Sequence, residues 1–101
     1  MALSSKERAS LRAEAHHLTA AVHVGHNGVT SAVRQTIDDA LRTRELVKIQ
    51  FVKNADVDVR EVAGALAGKL DADVVQVIGR TATLYRENPE LPRKDLPPWR
   101  Q

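Results

Sequence analysis

The chain has 101 residues, enough for one small domain with a modest core and too few for two. It contains no cysteine, which excludes a disulfide framework, thiolate metal sites and thiol catalysis, and an aromatic content of 3% argues against a base-stacking platform. Formal net charge is +2, too small by itself to name a polyanionic partner, and no apolar run is long enough for a membrane span or a leader, so the expected compartment is the cytoplasm.

Ser4 and Glu7 form a capping box ahead of a helix expected to run to about His16, with Leu11, Ala15 and Leu18 as its apolar stripe and Lys6, Arg8 and Arg12 off it. From Leu18 to Val24 the pattern changes to alternation, with Leu18, Ala20, Val22 and Val24 on one face, which predicts a half-buried strand. Gly25-His26-Asn27-Gly28 follows at once. Thr30 or Ser31 can then cap a helix whose Val33, Ile37, Ala40 and Leu41 repeat at helical spacing. A Gly-x-x-Gly loop feeding a helix N-terminus is a candidate phosphate cradle. Glycine lets the backbone turn sharply and approach a ligand, and the free amides of the first helical turn carry partial positive charge. Taken alone, the same four residues read equally well as a glycine-rich turn.

Leu46 to Val52 alternates again, Val47, Ile49 and Phe51 inward and Lys48 and Gln50 outward. A second capping box, Asp58 with Glu61, opens a third helix with Val59, Val62, Ala63, Leu66 and Leu70 buried, and Asp71 is placed to end it in the left-handed conformation. Val74 to Ile78 is β-branched and mostly apolar, as expected of a central strand. Ile78-Gly79-Arg80-Thr81 then reads as a type II′ hairpin turn, with Arg80 fully presented at its tip, leading into a short strand from Thr81 to Tyr85. All four prolines and the tryptophan fall between Asn88 and Arg100, so the expected organisation is a domain over residues 1–86 and a flexible tail over 87–101. The order α-β-α-β-α-β-β predicts an α/β domain, a small mixed four-stranded sheet with three helices.

Ala15-His16-His17-Leu18, then Val24-Gly25-His26-Asn27-Gly28-Val29-Thr30, then Glu45-Leu46-Val47-Lys48-Ile49, and finally Val75-Gln76-Val77-Ile78-Gly79-Arg80-Thr81 with Leu84-Tyr85-Arg86, resemble the CRM domain, named for chloroplast RNA splicing and ribosome maturation. Its stand-alone bacterial members are the YhbY-like proteins. The resemblance runs from about Ser5 to Arg86. It implies an RNA-binding domain similar in fold to the C-terminal domain of translation initiation factor 3. It also implies association with precursors of the large ribosomal subunit, and the family's GxxG loop falls on Gly25 to Gly28. Two positions depart from the family pattern: His26, where Lys or Gln is usual, and Thr19-Ala20, where Lys-Pro is usual. Both changes lower the positive charge beside the loop.

Residues 1–44 carry six Lys or Arg against four acids and all four histidines, whereas residues 45–101 carry nine of each sign. The expected RNA contacts are therefore Gly25, His26, Asn27, Gly28, Thr30 and Arg34 around the loop, with Lys48 and Arg80 beyond it. His16, His17, His23 and His26 lie within eleven residues but lack metal-ligand spacing and a nearby Cys or carboxylate, so neither a metal nor another cofactor is expected. Asp38 and Asp39 diverge by about 100° on a helix and read as a solvated pair for Arg34 and Arg42. No P-loop, nucleophile triad or HExxH pattern occurs, so no enzyme, small-molecule substrate or membrane partner is expected. The leading expectation is a monomeric, non-enzymatic binder of ribosomal RNA in pre-large-subunit particles. The alternative is a protein-interaction adaptor docking through the tail or a helix surface, and the third is an RNA-processing enzyme using His26 as acid or base.

Overall fold

The computed structural model describes residues 4–53 and 57–90. Seven elements follow in the expected order: α1 (Ser5–Ala15), β1 (Val22–Val24), α2 (Ser31–Arg44), β2 (Leu46–Phe51), α3 (Val59–Leu70), β3 (Asp73–Ile78) and β4 (Thr81–Tyr85). The helix starts are set by side chains. Ser4 and Glu7 make the capping box of α1, and the hydrogen bonds from Ser4 hold the Glu7 carboxyl below its ordinary range. Thr30, not Ser31, caps α2, and Asp58 caps α3 by accepting from the amides of Arg60 and Glu61. Asp71 ends α3 at φ 55°, ψ 41°, the left-handed stop expected from its type.

The sheet has the order β1-β2-β4-β3. β1 and β2 are parallel, and β4 is antiparallel to both β2 and β3. β1-α2-β2 and β2-α3-β3 are therefore two parallel crossovers, and they bring the N-termini of α2 and α3 to the same end of the sheet. The apolar character of β3 suggested a central position, and the structure corrects this: β3 is an edge strand. The hairpin turns β4 inward to pair with β2, and a bulge at Val74/Gln76 explains why the apolar residues of β3 do not alternate. Val74 and Val77 are three residues apart and would face opposite sides of a regular strand. The extra residue lets both pack on one core and leaves Val75 on the other face.

The main core lies between the sheet and the pair α2 and α3, built on Val24, Ile37, Leu41, Ile49, Phe51, Leu66 and Leu84. A second, smaller core of Leu11, Leu46, Val75 and Tyr85 lies under α1 on the opposite face, with Leu18 packed against it. This shortens the expected first strand. Leu18 belongs to the α1 side while Val22 and Val24 belong to the other, so regular pairing begins only at Val22. Residues 87–90 of the expected tail are described. Asn88 donates its amide to Glu45 Oε2 at 2.6 Å and its side-chain nitrogen to the Arg42 carbonyl at 2.7 Å. The rest of that segment, 91–101, lies outside the described residues.

Candidate nucleic-acid interface

Val24 closes β1 in the core, and the chain then reverses through Gly25-His26-Asn27-Gly28, with the Gly28 amide donating to the Gly25 carbonyl at 3.0 Å. Gly28 has φ 69°, a conformation that suits glycine, whereas Gly25, His26 and Asn27 are exposed. Val29 packs on the main core and fixes the exit of the loop. Thr30 Oγ1 accepts from the Val33 amide at 3.2 Å, and the Thr30 carbonyl accepts from Arg34 at 2.9 Å. Among the described residues the first helical amides, those of Ser31 and Ala32, meet no acceptor, which leaves them for an outside one. Thr30 thus acts as the cap, and its hydroxyl hydrogen is still able to donate.

Arg80 stands at the same end of the sheet. Val52 donates to the Val24 carbonyl at 3.0 Å, Phe51 donates to the Arg80 carbonyl at 2.8 Å, and the Arg80 guanidinium donates to the Val52 carbonyl at 3.3 Å. This ladder places the hairpin two strands from the GHNG turn, about 10 Å by interstrand spacing. Gly79 has φ 57° while Arg80 does not have positive φ, the pattern of a II′ turn. Arg80 is exposed but not fully presented, because the Val52 carbonyl holds one of its nitrogens. With Gly79, Asp58 and Arg60 it lines a cleft of about 380 Å³ at the start of α3.

The structure does not bring all the expected residues together. Arg34 is exposed and lines a shallow cleft between α2 and α3, with Val29, Val62 and Lys69, on the flank of the loop. Lys48 lies in the middle of β2 on the α1 side. Its ammonium donates to the carbonyls of Ala15 and Leu18 at 3.4 and 3.3 Å and so caps the C-terminus of α1. Two cations that the local pattern did not single out, Lys53 and Arg60, lie beyond β2 and in the first turn of α3, and the second crossover carries them to the loop end. Their signal was the βαβ order itself, which puts strand C-termini and helix N-termini at one edge. Asp38 pairs with Arg42 and with Arg86 rather than Arg34. Among the described residues no three His, Asp or Glu side chains gather as metal ligands, and no helix is long and apolar enough to cross a membrane.

Residues 3–86 match the CRS1 / YhbY (CRM) domain. The chain is 39% identical over 95 residues to a Bacillus subtilis protein named "Probable RNA-binding protein YqeI", an alignment spanning 94% of this chain and 99% of that one. It is 38% identical over 97 residues to a Haemophilus influenzae protein named "RNA-binding protein", covering 91% of this chain and 97% of the relative. The solution structure of the hypothetical protein SAV1595 from Staphylococcus aureus superposes with a TM-score of 0.76 at 34% identity, covering 88% of this chain and 93% of that one.

Proposed function

The chain belongs to the CRS1 / YhbY (CRM) family, and from that membership we propose that it is a non-enzymatic RNA-binding protein that clamps the RNA backbone at the loop end of its sheet. The observation that carries this reading is the exposed Gly25–Gly28 turn opening directly onto the unfilled amides of α2. There a phosphate meets two backbone N–H donors, the positive end of a helix and the His26 side chain. Arg80, held about two strand spacings away, supplies a second point of attachment that suits a guanidinium. Gly25, His26, Asn27 and Gly28 form the clamp, with Thr30 positioning it. Arg34 and Arg80 extend it, and Lys48 contributes from the neighbouring face.

The finer reading is that the RNA is ribosomal, in a precursor of the large subunit, bound by a monomer in the cytoplasm without cofactor or membrane partner. Residues 1–86 form the RNA-binding unit. Family membership supports this reading, together with the two relatives named as RNA-binding. Filter binding of the purified chain to large-subunit ribosomal RNA tests the function, and cross-linking in cells followed by sequencing tests the RNA identity. Retention of ribosomal RNA at sub-micromolar protein and reads concentrated in pre-ribosomal RNA are expected. No retention at low salt, or cross-links confined to other RNAs, contradicts the respective part.

A further inference from the structure

The sheet face turned away from α2 and α3 is only half covered. α1 seals the part near the start of β2 and the end of β4 through Leu11, Leu46, Val75 and Tyr85. The part nearest the GHNG turn is open. One cross-strand row runs through all four strands there, His23 beside Gln50, Gln50 beside Thr81 and Thr81 beside Ile78. Each of these residues lies one or two positions from Gly25, Val52, Arg80 or Gly79, so the row forms the ledge directly beneath the proposed clamp. The next row, Lys48, Thr83 and Gln76, bounds a cleft of about 330 Å³ walled by His16 at the end of α1.

The chemistry of this ledge is specific. Neither row contains a carboxylate, while Lys48 brings an ammonium and His16 and His23 bring imidazoles. Lys48 spends two of its three donors on the carbonyls of α1, leaving one for a ligand. Gln50 and Gln76 each offer a donor and an acceptor, and Thr81 offers a hydroxyl. Ile78, 58% exposed, is the one exposed large hydrophobic among the described residues, and it ends the row as an apolar surface. There is no Phe, Tyr or Trp in either row, and the imidazole of His23 is the one ring.

We propose that this open half-face takes the bases of an unpaired RNA segment whose backbone is held at the adjoining Gly25–Gly28 end, reading base edges by hydrogen bonds without a platform of Phe, Tyr or Trp rings. This rests on the clamp proposed above and names the class of RNA it serves. The row is about 15 Å wide, three interstrand spacings, which accommodates a few splayed nucleotides. In a duplex the base edges that amide and hydroxyl side chains read are occupied by pairing or shielded in a deep, narrow groove, so an amide-rich ledge favours single strands. The absence of carboxylates keeps the face compatible with the phosphates it would border.

Fluorescence anisotropy with labelled ten-nucleotide homopolymers of A, C, G and U, and with a ten-base-pair RNA duplex, tests the assignment. The wild type is expected to bind at least one homopolymer about tenfold more tightly than the duplex. Gln50→Ala with Thr81→Val, which removes two hydrogen-bonding groups, should lose about tenfold on that homopolymer and flatten the preference among the four. Gln50→Glu, exposed and equal in shape, gives the same direction of change should the double variant fail to fold. If both variants bind the preferred homopolymer like the wild type while Gly25→Asp loses affinity, the ledge is overturned and the clamp stands. A wild type that prefers the duplex also overturns the ledge. A wild type that binds none of the probes overturns both.

Discussion

At Glu45 the chain leaves α2 through a backbone conformation, φ 65° and ψ −44°, that L-residues rarely adopt and that lies near the strained γ-turn region. The residue is fully buried. Its carboxylate accepts from the Asn88 amide at 2.6 Å and its carbonyl accepts from the Arg86 amide at 2.9 Å. One residue thus turns the chain into β2 and anchors the segment that follows β4. Glu45→Ala keeps the strain and loses the carboxylate, whereas Glu45→Gly relieves the strain as well, so the alanine variant should be the less stable of the two by about 1 kcal/mol in urea unfolding. Equal stability would mean that the conformation carries no strain. His26 is the other residue with a distinct consequence. His26→Lys should keep or improve affinity for RNA, because an ammonium replaces the imidazole beside the phosphate, and His26→Ala should weaken it, both read by filter binding. Unchanged affinity in both variants would place His26 away from phosphate.

Helices and strands are tied together at the far end of the sheet by Arg86, just beyond β4. Its guanidinium donates to Asp38 Oδ1 at 2.7 Å, to the Asp38 carbonyl at 3.1 Å and to the Leu70 carbonyl at 2.9 Å, joining β4 to α2 and to the end of α3. The hydrogen bond from Arg86 holds the Asp38 carboxyl below the ordinary range for Asp, against a smaller opposing effect of burial. The folded state therefore binds fewer protons than the unfolded chain near pH 4. The stabilisation is present in full above the ordinary Asp range and is lost as acid protonates Asp38 within the fold. Asp38→Asn should be less stable than the wild type at pH 7, with the gap closing between about pH 5 and about pH 2 in thermal unfolding. A gap constant with pH would rule out the charge on Asp38 as its source. The seven elements were legible because capping boxes, apolar periodicity and the Gly79 turn are local signals. The edge position of β3, the early split of Leu18 from β1 and the Arg86 link were not, because each depends on partners far along the chain. Arg80 belongs to the hairpin that placed it. Arg80→Ala removes one contact and leaves the amide cradle, so its loss of RNA affinity should be smaller than that of Gly25→Asp. A larger loss would make the hairpin the primary attachment.

For the molecule as a whole, two parallel crossovers are what turn a scattered set of residues into one surface. The GHNG loop was readable as a unit because it is contiguous, whereas Lys53 and Arg60 reach the loop end only through the topology, and Lys48 is directed to the carbonyls of α1. Net charge limits how much RNA backbone this surface can neutralise. With about three to five phosphates engaged, log affinity against log salt should fall with a slope of roughly −2 to −4 for single strands, and a slope near about −8 would require a far larger basic surface. The central claim is that the Gly25–Gly28 turn is the clamp. An added Cβ at Gly25 meets no atom within 4 Å, so Gly25→Asp leaves the fold intact while placing a carboxylate where phosphate is expected. The most direct measurement is the affinity of Gly25→Asp for large-subunit ribosomal RNA beside its circular dichroism spectrum. A native spectrum with affinity reduced at least tenfold is the predicted result, and a native spectrum with wild-type affinity would contradict the claim.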